Sequence, residues 1–81
     1  MAVKALVLVE VAVGKGEMEE VAEAIRKIGG VKSVDAVTGP YDLAVTVEAA
    51  DVGAIGALVT KNIRSIPNLS KTTTCIVVKS F

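Results

Sequence analysis

The sequence predicts one α+β domain in which strands and helices follow the order β-α-β-β-α-β. Four segments alternate in the way a strand does, and two segments repeat apolar residues at spacings of three and four, which is the period of a helix. The 81 residues suffice for one domain and leave no room for a second. We therefore expect residues 1–81 to form a single unit.

The first half of the domain is expected to hold one strand and one helix. Residues 3–12 alternate with period two and carry apolar residues on both sides, which predicts a strand covered on both faces. The Gly-Lys-Gly segment at 14–16 ends this strand. Residues 17–28 then carry a helical apolar stripe, and Gly29 and Gly30 end the helix because glycine adopts a left-handed conformation easily.

A tight turn is expected between the second and third strands. Residues 31–37 and 43–48 both alternate, and a Gly39-Pro40 pair separates them. Glycine tolerates a positive φ and proline fixes its own φ, so the two segments are predicted to form a β-hairpin.

The second helix and the last strand complete the order. Asp51 is the expected N-cap of the helix. Gly53 and Gly56 each cost this helix roughly 1 kcal/mol relative to alanine, and we expect them to allow close approach of the sheet or of a neighbouring molecule. Residues 69–79 form the last strand. The apolar stripe of the helix consists of Val52, Ile55, Val59, Ile63 and Ile66.

Right-handed connections in this order give a four-stranded antiparallel sheet with two helices on one face, the ferredoxin-like arrangement. The helices cover one face, and the sequence predicts an apolar surface on the other. Hydrophobic residues make up 52% of the chain, which is more than one small core needs. The simplest cover for that second face is another copy of the chain, packed sheet against sheet as a homodimer resembling an α/β barrel.

The composition argues against several classes of function. Nine basic and nine acidic residues balance, and one Tyr and one Phe offer few stacking surfaces, so direct nucleic-acid binding is not expected. The chain has no histidine, and Cys75 is its single cysteine, so we expect no disulfide, metal or cofactor. We expect Cys75 to be buried and inert. The sequence shows neither an apolar run long enough to span a membrane nor a signal peptide, so a cytoplasmic location is expected.

The turn at 38–42 concentrates polar chemistry. The phenol of Tyr41 and the carboxylate of Asp42 follow a turn rich in backbone N–H groups, and together these groups suit a small zwitterion. Simpler explanations stay open at this point. Gly39 and Pro40 can serve the turn alone, Asp42 can accept hydrogen bonds from the turn's own backbone, and Tyr41 can pack at a subunit interface.

Two segments resemble a known family. Residues 34–43 (VDAVTGPYDL) resemble the hairpin signature of the C-terminal effector-binding domain, or RAM domain, of the Lrp/AsnC feast/famine transcription regulators. Residues 63–69 (IRSIPNL), followed by Thr72, Thr74 and residues 76–78, resemble the same domain. The resemblance covers essentially the whole chain. It implies homodimers through the sheet, rings of dimers, and amino-acid ligands near the contacts between dimers.

The resemblance also implies which residues contact the ligand. These are Gly39, Tyr41 and Asp42 in the turn, together with Thr72 and Thr74 in the last strand, which we expect to share one face of that strand.

The chain departs from the family pattern at two points. Full-length members carry an N-terminal helix-turn-helix, whereas this chain begins at the first strand of the effector domain. We therefore expect a stand-alone RAM domain that makes no direct contact with DNA and pairs with itself or with full-length regulators. In addition, Asn68 stands where glycine is usual after the proline, and the turn should survive because asparagine tolerates a left-handed conformation.

Three functions stay open from the sequence. The first is a non-enzymatic module that binds an amino acid and oligomerises in transcription regulation. The second is a small dimeric α+β-barrel enzyme with Glu10, Asp35 or Asp42 as its acid or base, against which the absence of histidine counts. The third is an ACT-like amino-acid-binding domain, whose glycine-bearing turn would correspond to residues 14–16.

Overall fold

A computed structural model of the chain describes residues 2–12 and 17–81 and confirms the order β-α-β-β-α-β. The predicted strand break at 14–16 lies outside these residues. Within them, no helix has the length and apolar character needed to cross a membrane. The strands are β1 (Val3–Val11), β2 (Val31–Ala36), β3 (Leu43–Ala49) and β4 (Leu69–Ile76). The helices are α1 (Glu17–Arg26) and α2 (Val52–Ala57), and α2 continues as a π-helix over Leu58–Ile63.

The four strands form one antiparallel sheet in the order β2-β3-β1-β4. The register places Val7 of β1 opposite Val45 of β3 on one side and opposite Thr74 of β4 on the other. Strands β2 and β4 are therefore the edges. With both helices packed on one face, the predicted ferredoxin-like arrangement is confirmed.

The hydrophobic core lies between the helices and one face of the sheet. Every second residue of β1 from Ala5 to Val9 is buried, as the alternation predicted. The same alternation holds in β3 from Leu43 to Val47. The buried residues are Ala5, Val7, Val9, Val21, Ile25, Leu43, Val45, Val47, Ile55, Leu58, Val59 and Ile63.

One edge strand departs from simple alternation. Alternation along β2 predicts that Val31 shares a side with Ser33 and Asp35, and this prediction is wrong. The pairing of β2 with β3 shifts by one residue between Val31 and Ser33, so Val31 lies opposite Val47 and packs against the core. A bulge of this kind inserts one extra residue into the strand. The residues before the bulge therefore lie on the opposite face from the one that simple alternation predicts.

The second helix begins as predicted and then changes its winding. Asp51 has an extended backbone, and its Oδ1 accepts a hydrogen bond from the N–H of Ala54 at 2.7 Å, which confirms it as the N-cap. The predicted apolar stripe is wrong at its start, because Val52 is 58% exposed. Leu58 is buried instead. In a π-helix, residues five apart share a face, so Leu58 and Ile63 both face the core.

The glycines divide into those that packing requires and those that it does not. Gly30 has a φ of 96°, and a Cβ there would lie 2.7 Å from Cδ1 of Leu58 and 3.0 Å from the carbonyl oxygen of Glu48. Gly30 is thus the left-handed residue expected after α1. Gly56 has no such neighbour within 4 Å, so the expected close approach of the sheet does not occur there. Asn68 has a φ of 73°, as predicted for the turn before β4.

Candidate functional site

The predicted turn between β2 and β3 is present and is held at its base by backbone hydrogen bonds. The N–H of Val37 donates to the carbonyl of Asp42 at 2.9 Å, and the N–H of Asp42 donates to the carbonyl of Val9 at 2.9 Å. Gly39 has a φ of 132°, which confirms the positive φ expected of it. A Cβ at Gly39 would meet no atom within 4 Å. The space beside this turn is therefore open within the described chain.

Asp42 connects the turn to the end of β1. Its Oδ2 accepts a hydrogen bond from the backbone N–H of Val11 at 2.8 Å, and the side chain is half-buried. The acceptor role expected for Asp42 thus exists, but the donor belongs to β1 and not to the turn. Among the described residues, which exclude 13–16, Oδ1 of Asp42 has no hydrogen-bond partner, whereas Oδ2 accepts from Val11.

Tyr41 reaches from the turn to the far edge of the sheet. Its hydroxyl lies 2.8 Å from Oγ1 of Thr73 in β4. Because β1 lies between β3 and β4, the Tyr41 side chain crosses β1 on the side away from the helices. The ammonium of Lys71 lies 6.0 Å from the centre of the Tyr41 ring, at the outer limit of a cation–π contact. Tyr41, Lys71 and Thr73 therefore form one cluster on that side.

Thr72 and Thr74 share a face of β4 as expected, but it is not the face that Tyr41 contacts. They lie opposite Val9 and Val7, which are buried against the helices. Within one chain the turn is thus brought together with Thr73 and not with the two threonines predicted from the family pattern. The sequence did not indicate a role for Thr73. Residues 75–78 are all apolar, so the alternation along β4 does not reveal which of its faces is turned toward the core.

The side of the sheet away from the helices, here called the open face, is less apolar than the sequence predicted. Most of its residues are polar. Cys75 belongs to it and is exposed, so the prediction of a buried cysteine is wrong. The open face consists of Lys4, Leu6, Leu8, Glu10, Ser33, Asp35, Ala44, Thr46, Glu48, Lys71, Thr73 and Cys75.

The apolar part of the open face is a central strip. Leu6 lies opposite Cys75, and Leu8 lies opposite Ala44 across the pairing of β1 with its two neighbours. Leu6 is 36% exposed in the single chain. Polar residues surround this strip within the strands, and Val37 and Val77, which are 39% and 41% exposed, add apolar surface just beyond the strand ends.

The polar cluster at the end of the open face can complement both charges of an amino acid. Oδ1 of Asp42 can accept hydrogen bonds from an ammonium group. The Lys71 ammonium and the hydroxyls of Tyr41 and Thr73 can donate to a carboxylate. No group of three or more His, Cys, Asp or Glu side chains in the described residues could hold a metal ion.

A family comparison decides what kind of domain this is. The family model described as the Lrp/AsnC ligand binding domain matches residues 4–81, which is nearly the whole chain. The chain belongs to the Lrp/AsnC ligand-binding domain family. This Lrp/AsnC domain is therefore not assigned to the ACT-like alternative.

Three relatives illustrate the breadth of the match. The uncharacterized HTH-type transcriptional regulator PF0250 of Pyrococcus furiosus is 38% identical over 58 residues, which cover 72% of this chain and 39% of that regulator. The chain thus spans about two fifths of that regulator's length. The crystal structure of TTHA0845 from Thermus thermophilus superimposes with a TM-score of 0.87 at 31% identity and covers 98% of this chain and 96% of the other.

The third relative carries a ligand. The transcriptional regulator NMB0573 of Neisseria meningitidis, solved as a complex with L-Met, has a TM-score of 0.85 at 25% identity. The match covers 95% of this chain and 50% of that one. The resemblance drawn from residues 34–43 and 63–69 is confirmed by these matches at the level of family and fold.

Proposed function

We propose that this Lrp/AsnC domain binds a small L-amino acid at the 38–42 turn and couples that binding to assembly with other copies. The observation that carries the proposal is the hydrogen bond between Tyr41 and Thr73. The next residue in the chain after Tyr41 is Asp42, whose Oδ1 has no hydrogen-bond partner among the described residues. The Tyr41 ring, the hydroxyls of Tyr41 and Thr73 and the carboxylate of Asp42 thus belong to the same part of the molecule. The amino acid in the NMB0573 complex supports the class of ligand.

Each end of the ligand has a partner in this proposal. The α-ammonium binds Oδ1 of Asp42, because Oδ2 is occupied by the N–H of Val11. The α-carboxylate binds near Lys71 and the Tyr41–Thr73 hydroxyl pair. Backbone atoms of Gly39 can contact the ligand, because a Cβ placed there would meet no atom of the described residues within 4 Å.

The described residues leave the site open, which supports a role for a neighbouring copy. Thr72 and Thr74 lie on the face of β4 opposite to Tyr41, so a ligand that touches them as well as Tyr41 has to do so between chains. We further propose that a second copy covers the open face around Leu6 and Leu8 as a homodimer, with dimers arranged in rings. Binding that joins two dimers then stabilises the ring by mass action.

The test is a thermal-shift screen against the twenty L-amino acids, followed by calorimetry on those that stabilise the protein. A ligand at about one hundred times its Kd stabilises a protein by about 2.7 kcal/mol, which raises the Tm of a domain this small by about 10 °C or more. L-Methionine is the first compound to try. No stabilisation by any of the twenty at millimolar concentration would contradict the proposal.

Two variants that each remove one negative charge test whether Asp42 contacts the ligand. Asp42→Asn keeps an acceptor for Val11 but removes the charge that holds the ammonium, so affinity should fall at least about tenfold. Glu19→Gln removes one charge from an exposed position of α1 and should leave affinity unchanged. Equal affinity of both variants would exclude Asp42 from the site.

The role in regulation follows from the family. We propose that the domain acts in transcription regulation as a ligand-binding module and not as an enzyme, and that its partners include full-length Lrp/AsnC regulators. Of the three acids considered for catalysis, Asp42 is held by Val11 and Glu10 accepts a hydrogen bond from Ser70. A stand-alone organisation without direct DNA contact and a cytoplasmic location stay predictions.

A further inference from the structure

A groove lies on the helix side of the molecule, between α1 and the turn that precedes β4. It has a volume of about 220 Å³ and shares no residue with the open face or with the 38–42 turn. Most of its lining residues are apolar, and one is an exposed acid. This groove, here called the α1 groove, is lined by Glu20, Val21, Ala24, Ile66, Pro67 and Asn68.

The walls of the α1 groove are held by the rest of the fold. Val21 belongs to the hydrophobic core, and Ile66 packs against that core. The carbonyl of Asn68 accepts a hydrogen bond from the N–H of Ala12 at 2.7 Å, which fixes the turn on the other side. An apolar cavity of about 150 Å³ is large enough to bind benzene. The α1 groove can therefore take one aromatic ring.

The segment after β4 presents such a ring. Val77 is still tied to the sheet, because its N–H donates to the carbonyl of Lys4 at 2.9 Å. Beyond it, Val78 is 94% exposed and Phe81 is fully exposed. The ammonium of Lys79 lies 5.1 Å from the centre of the Phe81 ring. Residues 77–81 thus carry apolar side chains and a cation that the described part of the same chain does not cover.

The Phe81 ring falls short of the α1 groove of its own chain. Asn68 directly precedes β4 and Val77 directly follows it, so the groove and the segment lie at opposite ends of that strand. The eight residues of β4 span about 27 Å. Residues 77–81 reach about 18 Å at most when fully extended, and one side chain does not make up the difference. Any contact between the two is therefore a contact between copies.

The charges of the two parts are opposite. Glu20 of the groove and Lys79 of the segment are both exposed. Within residues 2–12 and 17–81, the ion pair joins Arg26 to Glu23 and involves neither of them. Lys79 is two residues from Phe81, so an aromatic ring seated in the groove would bring this ammonium near the Glu20 carboxylate. Complementary charges of this kind favour one orientation of the contact.

We propose that Phe81 of one copy binds in the α1 groove of another copy, with Lys79 beside Glu20. Because the two surfaces differ, the contact is head-to-tail, and such contacts build closed rings or open filaments. A five-residue segment buries little area, so each contact is weak alone and gains strength where several close a ring. The inference goes beyond the proposed function, because it requires neither an amino acid nor the open face.

The first experiment is sedimentation velocity over a range of micromolar concentrations without added amino acid. The parent protein should form species larger than a dimer. In Phe81→Ser, the concentration at which these species appear should rise at least about tenfold, because a buried aromatic anchor dominates a small interface. Val52→Ser removes an exposed apolar side chain from α2 and is the matched control. It should leave the assembly unchanged.

Charge reversal tests the pairing of Lys79 with Glu20. Glu20→Lys and Lys79→Glu should each weaken the assembly by up to about fivefold, the range of an exposed ion pair. The double variant Glu20→Lys/Lys79→Glu should restore it. Glu19→Lys changes a neighbouring exposed position that does not line the groove and should have no effect. Failure of the double variant to restore assembly would exclude this pairing.

NMR of the ¹⁵N-labelled protein locates the contact. On dilution of the parent protein, the amide signals of Val21, Ala24 and Asn68 should move to the positions that they have in Phe81→Ser. A parent protein no larger than a dimer at every concentration would overturn the inference. Signal changes in Phe81→Ser that are confined to Leu6 and Cys75 would overturn it too, because they would place the segment on the open face.

The outcome is separable from that of the amino-acid screen. Assembly through the α1 groove without stabilisation by any amino acid would leave this inference standing and remove the proposed function. Stabilisation by an amino acid in a protein whose assembly is unchanged by Phe81→Ser would do the reverse.

Discussion

The hydroxyl of Tyr41 lies 2.8 Å from Oγ1 of Thr73, and this hydrogen bond joins the turn before β3 to the edge strand β4. These two segments both neighbour β1 but do not pair with each other. The bond is therefore a contact across the width of β1 on the open face. It fixes the position of the Tyr41 hydroxyl above β1.

The energy of this contact can be measured with a double-mutant cycle. Tyr41→Phe and Thr73→Val each remove one hydroxyl and keep the shape of the side chain. The two changes should show a coupling energy of about 0.5–1.5 kcal/mol in urea unfolding, the net value of one hydrogen bond. Thr72→Val is the matched control, and its effect should add to that of Tyr41→Phe within about 0.5 kcal/mol. Stronger coupling to Thr72 than to Thr73 would place the phenol elsewhere.

Asp42 should matter to stability through its acceptor and not through its charge. Asp42→Ala leaves the N–H of Val11 without a partner and should reduce the free energy of unfolding by about 1–3 kcal/mol. Asp42→Asn keeps an acceptor oxygen and should cost less than about 1 kcal/mol. Hydrogen exchange at the Val11 amide is the site-specific check, since it should accelerate in the alanine variant. Equal losses in both variants would mean that the contact with Val11 contributes little.

Gly30 should be intolerant of any side chain. Gly30→Ala forces a φ of 96° on alanine and brings the new Cβ against Leu58, so it should cost about 2–4 kcal/mol. Gly29→Ala is the adjacent control, because no atom lies within 4 Å of its added Cβ. It should change stability by no more than about 0.5 kcal/mol. Chemical denaturation of the two variants side by side decides the point, and similar losses would contradict the packing described here.

Gly56 should behave in the opposite way. It lies in α2 with a helical backbone, and an added methyl group would meet nothing within 4 Å. Gly56→Ala should therefore raise the free energy of unfolding by about 0.5–1 kcal/mol, because alanine loses less backbone entropy in a helix. Thermal unfolding measures the gain. A loss of stability would indicate that a neighbouring copy packs against this glycine.

The sequence predicted the parts of the fold in which local pattern and tertiary packing agree. The alternation of β1, the hairpin turn, the Asp51 cap and the left-handed Asn68 all follow from local chemistry, and the structure has each of them. The family resemblance could also be recognised from local sequence, because residues 34–43 form one continuous motif.

The incorrect predictions concern which side chains are buried in β2 and in the second helix. Val31 changes face because of a bulge against β3, and in the second helix Leu58 is buried whereas Val52, in the first turn, is exposed. Neither outcome can be predicted from the neighbouring residues in the sequence. Thr73 was missed for a related reason, since the face it occupies is set by the register of β4 against β1.

Cys75 offers a direct probe of the open face. It is exposed in the single chain beside Leu6, so a thiol reagent should modify it rapidly there. If a second copy covers the open face, modification at micromolar protein should be slow and should accelerate on dilution. Leu6→Asp should place a charge in the contact and make the thiol react quickly at all concentrations. Rapid modification of the parent protein at high concentration would contradict the proposed dimer.

An NMR titration with the amino acid that stabilises the domain most would locate the proposed amino-acid site. We predict that the largest saturating amide shifts occur at Gly39, Asp42 and Thr73, and that they disappear in Asp42→Asn at the same ligand concentration. Saturating shifts that avoid the 38–42 turn and persist in that variant would contradict it.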